Sequence, residues 1–296
     1  ANIRQPEATI KQLLASWQPV FGNKPLSAIT LQTVEKARGQ WLIDGLAPAT
    51  CNRYVARLAS VLSLAVRYGD LPAHPLRGLR QLRTDNVRVR FLSPQEEESL
   101  RLALDERQEE MREKRDSFNA WRAARKLPAL PGQQAVFVDW LKPLVLLAMN
   151  TGMRRGELLS LTWQDVDLAE GLVTVQASKA KSGKRRHIPL SDEAAWVLAE
   201  LQRTAHGTYV FQDRGKPLAS ITTSWENLRE RAGLADFHFH DLRHHFASRL
   251  VQAGADLNTV RELLGHGDLT MTLRYAHLAP HNRRRVVELL NKPREA

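Results

Sequence analysis

The chain of 296 residues is long enough for two domains that each bury a hydrophobic core. Hydrophobic residues make up 43% and charged residues 25%, a balance typical of a globular protein and not of a disordered or fibrous one. The net charge of +11 favours a polyanionic partner such as nucleic acid, although a basic protein without such a partner has the same balance. Cys51 is the only cysteine, which excludes an internal disulfide and favours a reducing, cytoplasmic location.

Neither a membrane span nor a secretion signal is predicted. No apolar run approaches the roughly 18 residues that cross a bilayer. From Ala1 onward there is no basic start followed by an apolar stretch, which is how a secretion signal begins. We therefore expect no membrane partner.

Residues 1–85 have the apolar spacing of a small helical domain. Thr30 is a suitable N-cap for a first helix, which is expected to stop at Gly45. Pro48 is typical of the start of the next helix, and Gly69 is typical of its end.

The positive charge is concentrated in this helical region. Residues 1–85 contain eleven Lys and Arg against five Asp and Glu, whereas residues 96–116 contain nine acids against five bases. Arg53 and Arg57 lie off the apolar stripe of their helix, where they could be solvated or could contact DNA phosphates.

A basic linker over residues 86–93 is predicted to separate this domain from the rest of the chain. Ser93 then caps a new helix, with Pro94 in the first turn and Glu96 three residues after the cap. The charged stretch 105–126 is expected to continue as a solvated helix.

From Gly171 the apolar period changes to that of strands. Leu172, Val173 and Val175 predict one strand, residues 181–184 a turn, and residues 185–190 a return strand. The remainder of the chain is predicted to be helical.

The C-terminal third contains residues with the chemistry of a reaction site. His240, Arg243 and His244 are three and four positions apart and therefore share a helical face. Gly265 is expected to end a helix just before His266. Asp268 can cap the next helix, which places Tyr275 two turns inside it.

These side chains suit phosphoryl transfer. A guanidinium binds two phosphate oxygens at once, and a histidine donates to phosphate or exchanges a proton near neutral pH. A tyrosine phenol is an oxygen nucleophile once its proton has an acceptor. His238 and His240 lack an evident third ligand, so no metal site is predicted.

Four segments in this order and spacing resemble the catalytic signature of the tyrosine recombinases, the phage integrase family. They are the stretch 151–157 (TGMRRGE), His240 with Arg243, Leu264-Gly265-His266, and Tyr275. The stretch 178–190 resembles the lysine-bearing β-hairpin of the family. The catalytic resemblance covers about residues 91–280, and residues 1–85 resemble the family's core-binding domain more loosely.

The resemblance implies a role for each matched residue. Arg154 and Arg243 would hold the scissile phosphate, and Tyr275 would attack it to leave a 3′-phosphotyrosyl bond. His240 would assist removal of the proton from Tyr275, and His266 would hydrogen-bond the phosphate. Lys181 would protonate the leaving 5′ oxygen, with Lys179 as the alternative. No metal or other cofactor is implied. Glu157 is interpreted as a structural residue that seats the loop of Arg154.

The resemblance also implies an architecture and partners. We expect a mainly α chain that forms a two-domain DNA clamp: residues 1–85 as the core-binding domain, 86–93 as the linker, and 94–296 as an α-rich catalytic domain with a small β-sheet. The expected partner is double-stranded DNA, bound as a homotetramer on paired sites, with room for accessory DNA-bending proteins. DNA contacts are assigned to four residues, Arg53, Arg57, Lys179 and Lys184. The location would be cytoplasmic, at the nucleoid.

The expected activity is integration or excision of a phage or other mobile element. Three alternatives stay open at the level of sequence: a type IB topoisomerase-like enzyme, a non-enzymatic DNA-binding regulator, and a chromosome-dimer resolvase of the same family. The charged stretch 105–134 departs from the compact pattern of the resolvases, and its role is open. Many relatives carry a further arm-binding domain, which is not expected within these 296 residues, and the sequence leaves open whether one precedes Ala1.

Overall fold

The fold is described from a computed structural model, which defines the structure of residues 6–84, 89–130, 135–178, 183–213 and 215–279. Lys179 and Lys181 lie outside these ranges. The chain divides into two compact units, Ala1–Arg88 and Val89–Ala296, and each is described by itself.

The first unit is helical. It contains α1 (Pro6–Phe21), a 3-10 turn (Leu26–Ala28), α2 (Leu31–Ile43) and α3 (Pro48–Tyr68). The caps are those that the sequence predicts: the Thr30 side chain accepts from the Thr33 amide, and Gly69 ends α3 in the left-handed conformation. The core of the unit packs around Trp17, whose ring centroid lies 4.7 Å from that of Trp41.

The second unit is also mainly helical, with two small antiparallel sheets. The helices are α4 (Pro94–Ala123), α5 (Leu141–Thr151), α6 (Arg155–Leu159), α7 (Asp192–Arg203), α8 (Thr222–Arg231), α9 (Asp241–Gln252), α10 (Leu257–Leu264) and α11 (Thr270–Leu273). The strands are β1 (Val166–Asp167), β2 (Leu172–Val175), β3 (Arg186–Pro189), β4 (Gln212–Asp213) and β5 (Lys216–Pro217). The predicted fold class, mainly α with a small β-sheet, is confirmed.

Helix α4 begins as predicted and ends earlier than predicted. Ser93 and Glu96 form a capping box at its start, with Pro94 in the first turn. The helix stops at Ala123, whereas the sequence predicts that it continues to residue 126. Lys126 adopts a left-handed conformation (φ 56°), which allows the Leu127 amide to bond the Arg122 carbonyl and reverses the chain there.

Helix α5 runs through the core of the second unit. Nearly all of its side chains are buried, and it packs against both α7 and α9. Its C-terminal Thr151 leads directly into the segment that carries Arg154, so the core fixes the position from which that segment departs.

The three-stranded sheet has the order β1–β2–β3 and is antiparallel throughout. Val173 pairs with Ile188 at its centre. Along β3 the side chains of Arg186 and Ile188 are buried, whereas those of His187 and Pro189 are exposed. The alternation therefore directs Arg186 inward, toward the segment that follows α5.

The segment that carries Tyr275 differs from its prediction. Helix α11 is a single turn that ends at Leu273, and Tyr275 follows it at the start of a 3-10 turn, Ala276–Leu278. Asp268 accepts from the Thr270 amide at the start of α11. The prediction of a tyrosine two turns inside a helix is wrong because the helix closes after one turn.

Across the described parts of the chain, no helix has the length and apolar character of a membrane span.

Gly152 is expected to tolerate no side chain. It ends α5 in the left-handed conformation (φ 59°), and a Cβ there would lie 2.4 Å from Cδ1 of Phe246. Gly152→Ala should therefore lower the free energy of unfolding by roughly 2–5 kcal/mol, from backbone strain and overpacking together. Urea denaturation measures this effect.

Gly156 provides the matched control. It lies in helix α6, and a Cβ there would have nothing within 4 Å. Gly156→Ala should leave stability unchanged or raise it by about 0.5–1 kcal/mol. Equal effects of the two substitutions would contradict the close approach of Phe246 to Gly152.

Candidate active site

Arg154 is held by Glu157. It lies at the N-cap position of α6, where its amide donates to Glu157 Oε2 and its Nη1 donates to Glu157 Oε1, both at 2.9 Å. Glu157 is 3% exposed. A buried carboxylate with two bonds to one residue fixes both the backbone and the guanidinium of Arg154. This agrees with the interpretation of Glu157 as a structural residue that seats the loop of Arg154.

The same carboxylate binds a second arginine. Arg186 Nη2 donates to Glu157 Oε2 at 2.6 Å and Nη1 donates to Oε1 at 3.2 Å, while its Nε donates to the Leu263 carbonyl. Burial by itself would raise the pKa of Glu157, but the bonds and charge of Arg186, together with bonds from Arg154, outweigh it and hold the pKa below its usual range. Glu157 is therefore ionised at neutral pH.

Arg243 is the most deeply buried of the predicted site arginines, with 3% exposure. Its Nη1 donates to the Gly152 carbonyl at 2.7 Å and its Nη2 to the Leu264 carbonyl at 2.5 Å. Burial, followed by the charge of Arg154, lowers its pKa to about 9. Arg243 stays charged at neutral pH and ties the end of α5 to the end of α10.

His266 follows directly after Gly265, the left-handed residue that ends α10, as predicted. Its Nδ1 lies 2.8 Å from the Thr272 hydroxyl, and the residue is 8% exposed. Burial and the charges of Arg243 and Arg154 lower its pKa to about 3. The imidazole is therefore neutral at physiological pH, and contact with Thr272 orients its ring.

Tyr275 is buried, with 1% exposure, and its hydroxyl lies 2.6 Å from Nδ1 of His244. Burial raises the pKa of Tyr275 to about 12, partly offset by the charge of Arg243. Burial, followed by the charge of His240, lowers the pKa of His244 to about 4. A neutral imidazole thus faces a protonated phenol, and Nδ1 can accept the phenol proton.

His240 lies beside this pair but is not the residue on the phenol. It precedes α9, is exposed, and its ring centroid is 5.3 Å from that of His244, edge to face. It also lines a cleft of about 470 Å³ with Arg154, Trp225 and Phe239 among others. His240 is therefore open to a ligand that enters the cleft.

The structure thus brings together five of the six predicted catalytic residues; Lys181 lies outside the described ranges. The charge of Arg154 lowers the pKa values of Arg243 and His266, and the charge of Arg243 lowers that of His266 and partly offsets the rise in that of Tyr275. Guanidinium groups and neutral imidazoles grouped around a phenol can bind a phosphate and serve an oxygen nucleophile. Within the described ranges, no group of three or more His, Cys, Asp or Glu side chains is placed to hold a metal ion.

Of the predicted DNA-binding residues, Arg53 and Arg57 belong to the first unit and Lys184 belongs to the second. Arg53 is exposed on α3, and Arg57 on the same helix donates to the Gln12 side chain. Lys184 is exposed beside β3 and lines a small pocket with Arg185, Arg261 and His266. Lys179 belongs to the residues that are not described.

Two residues of the site were missed by the sequence analysis. Arg186 lies in the hairpin stretch 178–190, where the sequence analysis assigns it no role of its own, but it is buried on Glu157. His244 shares a helical face with His240 and Arg243 but receives no role from the family resemblance, and in the structure it contacts Tyr275. The alternation along β3 could have indicated Arg186. No local pattern indicates the pairing of His244 with a residue 31 positions away.

Residues 136–282 match the phage integrase family. The integrase of Salmonella phage P22 is 35% identical over 156 residues, which is 48% of this chain and 40% of that protein. Tyrosine recombinase XerC of Xanthomonas campestris pv. campestris is 38% identical over 144 residues, 46% of this chain and 44% of that protein. The matches thus span less than half the length of these relatives.

Solved structures share the fold over nearly the whole chain. The Tn1549 transposon integrase in complex with a circular intermediate DNA superposes with a TM-score of 0.71 at 18% identity, covering 98% of this chain and 94% of that one. A lambda integrase dimer bound to a core site superposes with a TM-score of 0.68 at 20% identity, covering 93% and 89%. At identities this low, the superpositions show a likeness of fold alone.

Proposed function

Through residues 136–282 this chain belongs to the phage integrase family of tyrosine recombinases, and from this premise we propose that it is a site-specific DNA recombinase. The observation that carries the proposal is the hydrogen bond between the phenol of Tyr275 and a neutral His244. The positive charge of Arg243 also acts on this phenol and partly offsets the rise in its pKa that burial causes. A nucleophile, a proton acceptor and a phosphate-binding cation are the parts that phosphoryl transfer through tyrosine requires.

In the proposed step, Tyr275 Oη attacks the phosphorus of the scissile phosphodiester. The bond between phosphorus and the 5′ oxygen breaks, which leaves a 3′-phosphotyrosyl bond and a free 5′-hydroxyl. The phenol proton passes to His244, and the leaving oxygen takes a proton from Lys181, or from Lys179 as the alternative. A 5′-hydroxyl from another strand reverses the step, so the exchange needs neither ATP nor a metal.

Arg154 and Arg243 would hold the two non-bridging oxygens of the phosphate, and His266 would donate a hydrogen bond to one of them. Both arginines are already fixed, Arg154 by Glu157 and Arg243 by two carbonyls. Fixed donors stabilise a pentacoordinate phosphorane at little cost of reorganisation. Because Tyr275 is 1% exposed, attack requires α11 to shift so that the phenol oxygen meets the phosphate.

The proposed partner is double-stranded DNA, contacted by the helical unit 1–85 through residues such as Arg53 and by the catalytic unit through Lys184. We further propose a homotetramer on paired sites, acting in the cytoplasm at the nucleoid with accessory DNA-bending proteins. Integration or excision of a mobile element is supported by the likeness to the P22 and Tn1549 integrases.

Two histidines near the phenol should be separable by experiment. His244→Gln is expected to slow formation of the covalent DNA adduct by roughly 10²–10⁴-fold, because it removes the proton acceptor. His240→Gln, at the open cleft, should raise the DNA concentration needed for half-maximal rate more than it lowers the maximal rate. The reverse pattern would return the proton-accepting role to His240.

The pH profile gives a second readout of His244. Its pKa in the folded protein is about 4, below the 6.5 of an ordinary histidine, so the imidazole stays neutral and accepting down to about pH 4. The contribution of neutral His244 to stability is fully present above pH 6.5 and is lost as the pH falls toward 4. Adduct formation by the wild type should stay level until the pH approaches 4 and should fall there, where His244 of the folded protein becomes protonated. His244→Gln should lack that fall.

Covalent trapping tests the proposal as a whole. Wild-type protein would be incubated with nicked duplex DNA without added metal, denatured and digested, and the DNA-linked peptide identified by mass spectrometry. The expected peptide contains Tyr275 and none of the other three tyrosines. DNA binding without any adduct would support a non-enzymatic regulator, and an adduct on another tyrosine would contradict the assigned nucleophile.

A further inference from the structure

The apolar stripe of α4 continues past the core that covers its first half. Leu100, Ala103 and Leu104 are buried and lie on one face of the helix at three- and four-residue spacing. The same face continues to Phe118 and Trp121, which are 44% and 46% exposed. This end of the stripe is only partly covered, and it precedes the residues 136–282 that match the family.

The two exposed rings are ordered against each other and against cations. Phe118 and Trp121 stack with centroids 5.6 Å apart and planes 8° from parallel. The guanidinium of Arg125 lies 4.1 Å from the Trp121 ring centroid, and that of Arg122 lies 5.8 Å from the Phe118 centroid. These contacts hold large apolar surfaces in place before any partner arrives.

The chain that follows α4 braces this surface. The Asn119 side chain donates to the Leu130 carbonyl and accepts from the Leu130 amide, and Arg122 Nε donates to the Pro128 carbonyl at 2.7 Å. The segment thus folds back along the helix. A hollow of about 400 Å³ results, with Met111, Phe118 and Leu130 in its lining.

Charge is sorted around this end of the helix. At 100° per residue, the acids Glu109, Glu113 and Asp116 lie on the opposite side of α4. One face, here called the terminal face of α4, carries only basic and large apolar side chains between residues 114 and 125: Lys114, Arg115, Phe118, Trp121, Arg122 and Arg125. An apolar hollow with a basic border complements a ligand that is acidic and has a bulky apolar group.

We propose that the terminal face of α4 is a docking site for an acidic peptide segment of a partner protein, whose bulky apolar side chain enters the hollow beside Phe118. Duplex DNA fits less well, because a phosphate backbone cannot fill an apolar hollow and would pass near the acids on the other side of the helix. The C-terminal residues 280–296 also fit poorly, since they carry five Lys and Arg against two Glu.

Selection from a randomised peptide library against the full chain tests this site. We expect enrichment of peptides with an excess of Asp and Glu and at least one large apolar residue. Trp121→Ala should weaken their binding by roughly tenfold or more, as for a central aromatic contact. Arg122→Gln with Arg125→Gln should weaken it further and reduce its dependence on salt.

Leu102→Ala is the matched control, because Leu102 is an exposed apolar residue of the same helix outside the terminal face. It should bind the peptides as the wild type does, and all variants should keep the wild-type melting temperature. Three outcomes would overturn the proposal: no enrichment, enriched peptides that bind Trp121→Ala equally well, or a Trp121→Ala variant that loses DNA affinity or self-association instead.

Discussion

Tyr275→Phe is expected to abolish covalent attachment of the protein to DNA. Loss of the phenol oxygen removes the only atom that can form the phosphotyrosyl bond in the proposed step, so the rate of adduct formation should fall by roughly 10⁴-fold or more. DNA affinity should change little, because the tyrosine is 1% exposed and contributes almost no surface to a ligand. Suicide-substrate trapping on nicked duplex DNA measures the first quantity, and a gel-shift titration measures the second.

Tyr209→Phe provides the matched control for this variant. Tyr209 is half-buried in the same unit, forms a β-bridge with Thr162, and is separate from the arginines of the site. Its phenylalanine variant should form adducts at the wild-type rate. If Tyr275→Phe kept measurable attachment while Tyr209→Phe lost it, the chemistry would belong to a different part of the molecule.

The stability of Tyr275→Phe separates the chemical effect from a folding effect. Phenylalanine fills the same space but leaves Nδ1 of His244 without the hydroxyl it contacts at 2.6 Å. One lost hydrogen bond costs about 1 kcal/mol, which is too little to unfold a domain. Adduct formation should therefore vanish in a protein that still denatures cooperatively near the wild-type urea concentration.

Much of the fold follows from signals that act within a few residues. Thr30 and Ser93 mark helix starts, and Gly69 marks a helix end. Each signal is local, because the side chain that accepts from a terminal amide, or the glycine that adopts the left-handed conformation, lies at the helix terminus itself. The β2–β3 pairing was predictable for a similar reason, since the change to alternating apolar residues sets both strands and their inward faces.

The site could be predicted in composition but not in its contacts. Residue type and spacing together identified Arg154, Arg243, His266 and Tyr275, because only a few residue types suit a reaction site. The partner of each depends on packing between distant segments. Thr272 orients His266 only because α11 closes after one turn, and no short pattern fixes that length.

Arg186 illustrates the same limit more sharply. In the sequence it is one of several bases in a hairpin, and charge alone makes them alike. Only the register of β3 turns Arg186 inward while Arg185 and His187 face solvent. Its role then depends on a carboxylate 29 residues earlier and a carbonyl 77 residues later.

Glu157→Ala is expected to damage both stability and activity. It leaves Arg186 buried without its counterion, and breaking a buried pair in this way costs about 3–5 kcal/mol. It also releases the guanidinium and the amide of Arg154 from their 2.9 Å bonds. Urea denaturation should show the loss of stability, and DNA trapping should show an adduct rate that falls even where the variant is fully folded. Glu200→Ala, which removes a carboxylate paired with the exposed Arg203, should cost at most about 1 kcal/mol.

The pH dependence of Glu157 has a definite sign. Its pKa is lowered in the folded protein, so its stabilising contribution is present above the pKa of an unfolded glutamate, about 4.3, and is lost as the pH falls through the folded value. The difference in unfolding free energy between the wild type and Glu157→Gln should therefore be largest near neutral pH and shrink below about pH 4. A difference that stayed constant over that range would mean that the charge of Glu157 contributes little.

A double replacement separates the two roles of the Glu157–Arg186 pair. Glu157→Leu with Arg186→Met removes both buried charges, and a well-packed apolar pair should recover much of the stability that Glu157→Ala loses. It restores nothing to Arg154, which still lacks its carboxylate. A stable double variant with a low adduct rate would therefore assign Glu157 as a positioning residue for Arg154. Recovery of both properties would instead mean that Arg154 finds its place without Glu157, and that the pair serves folding alone.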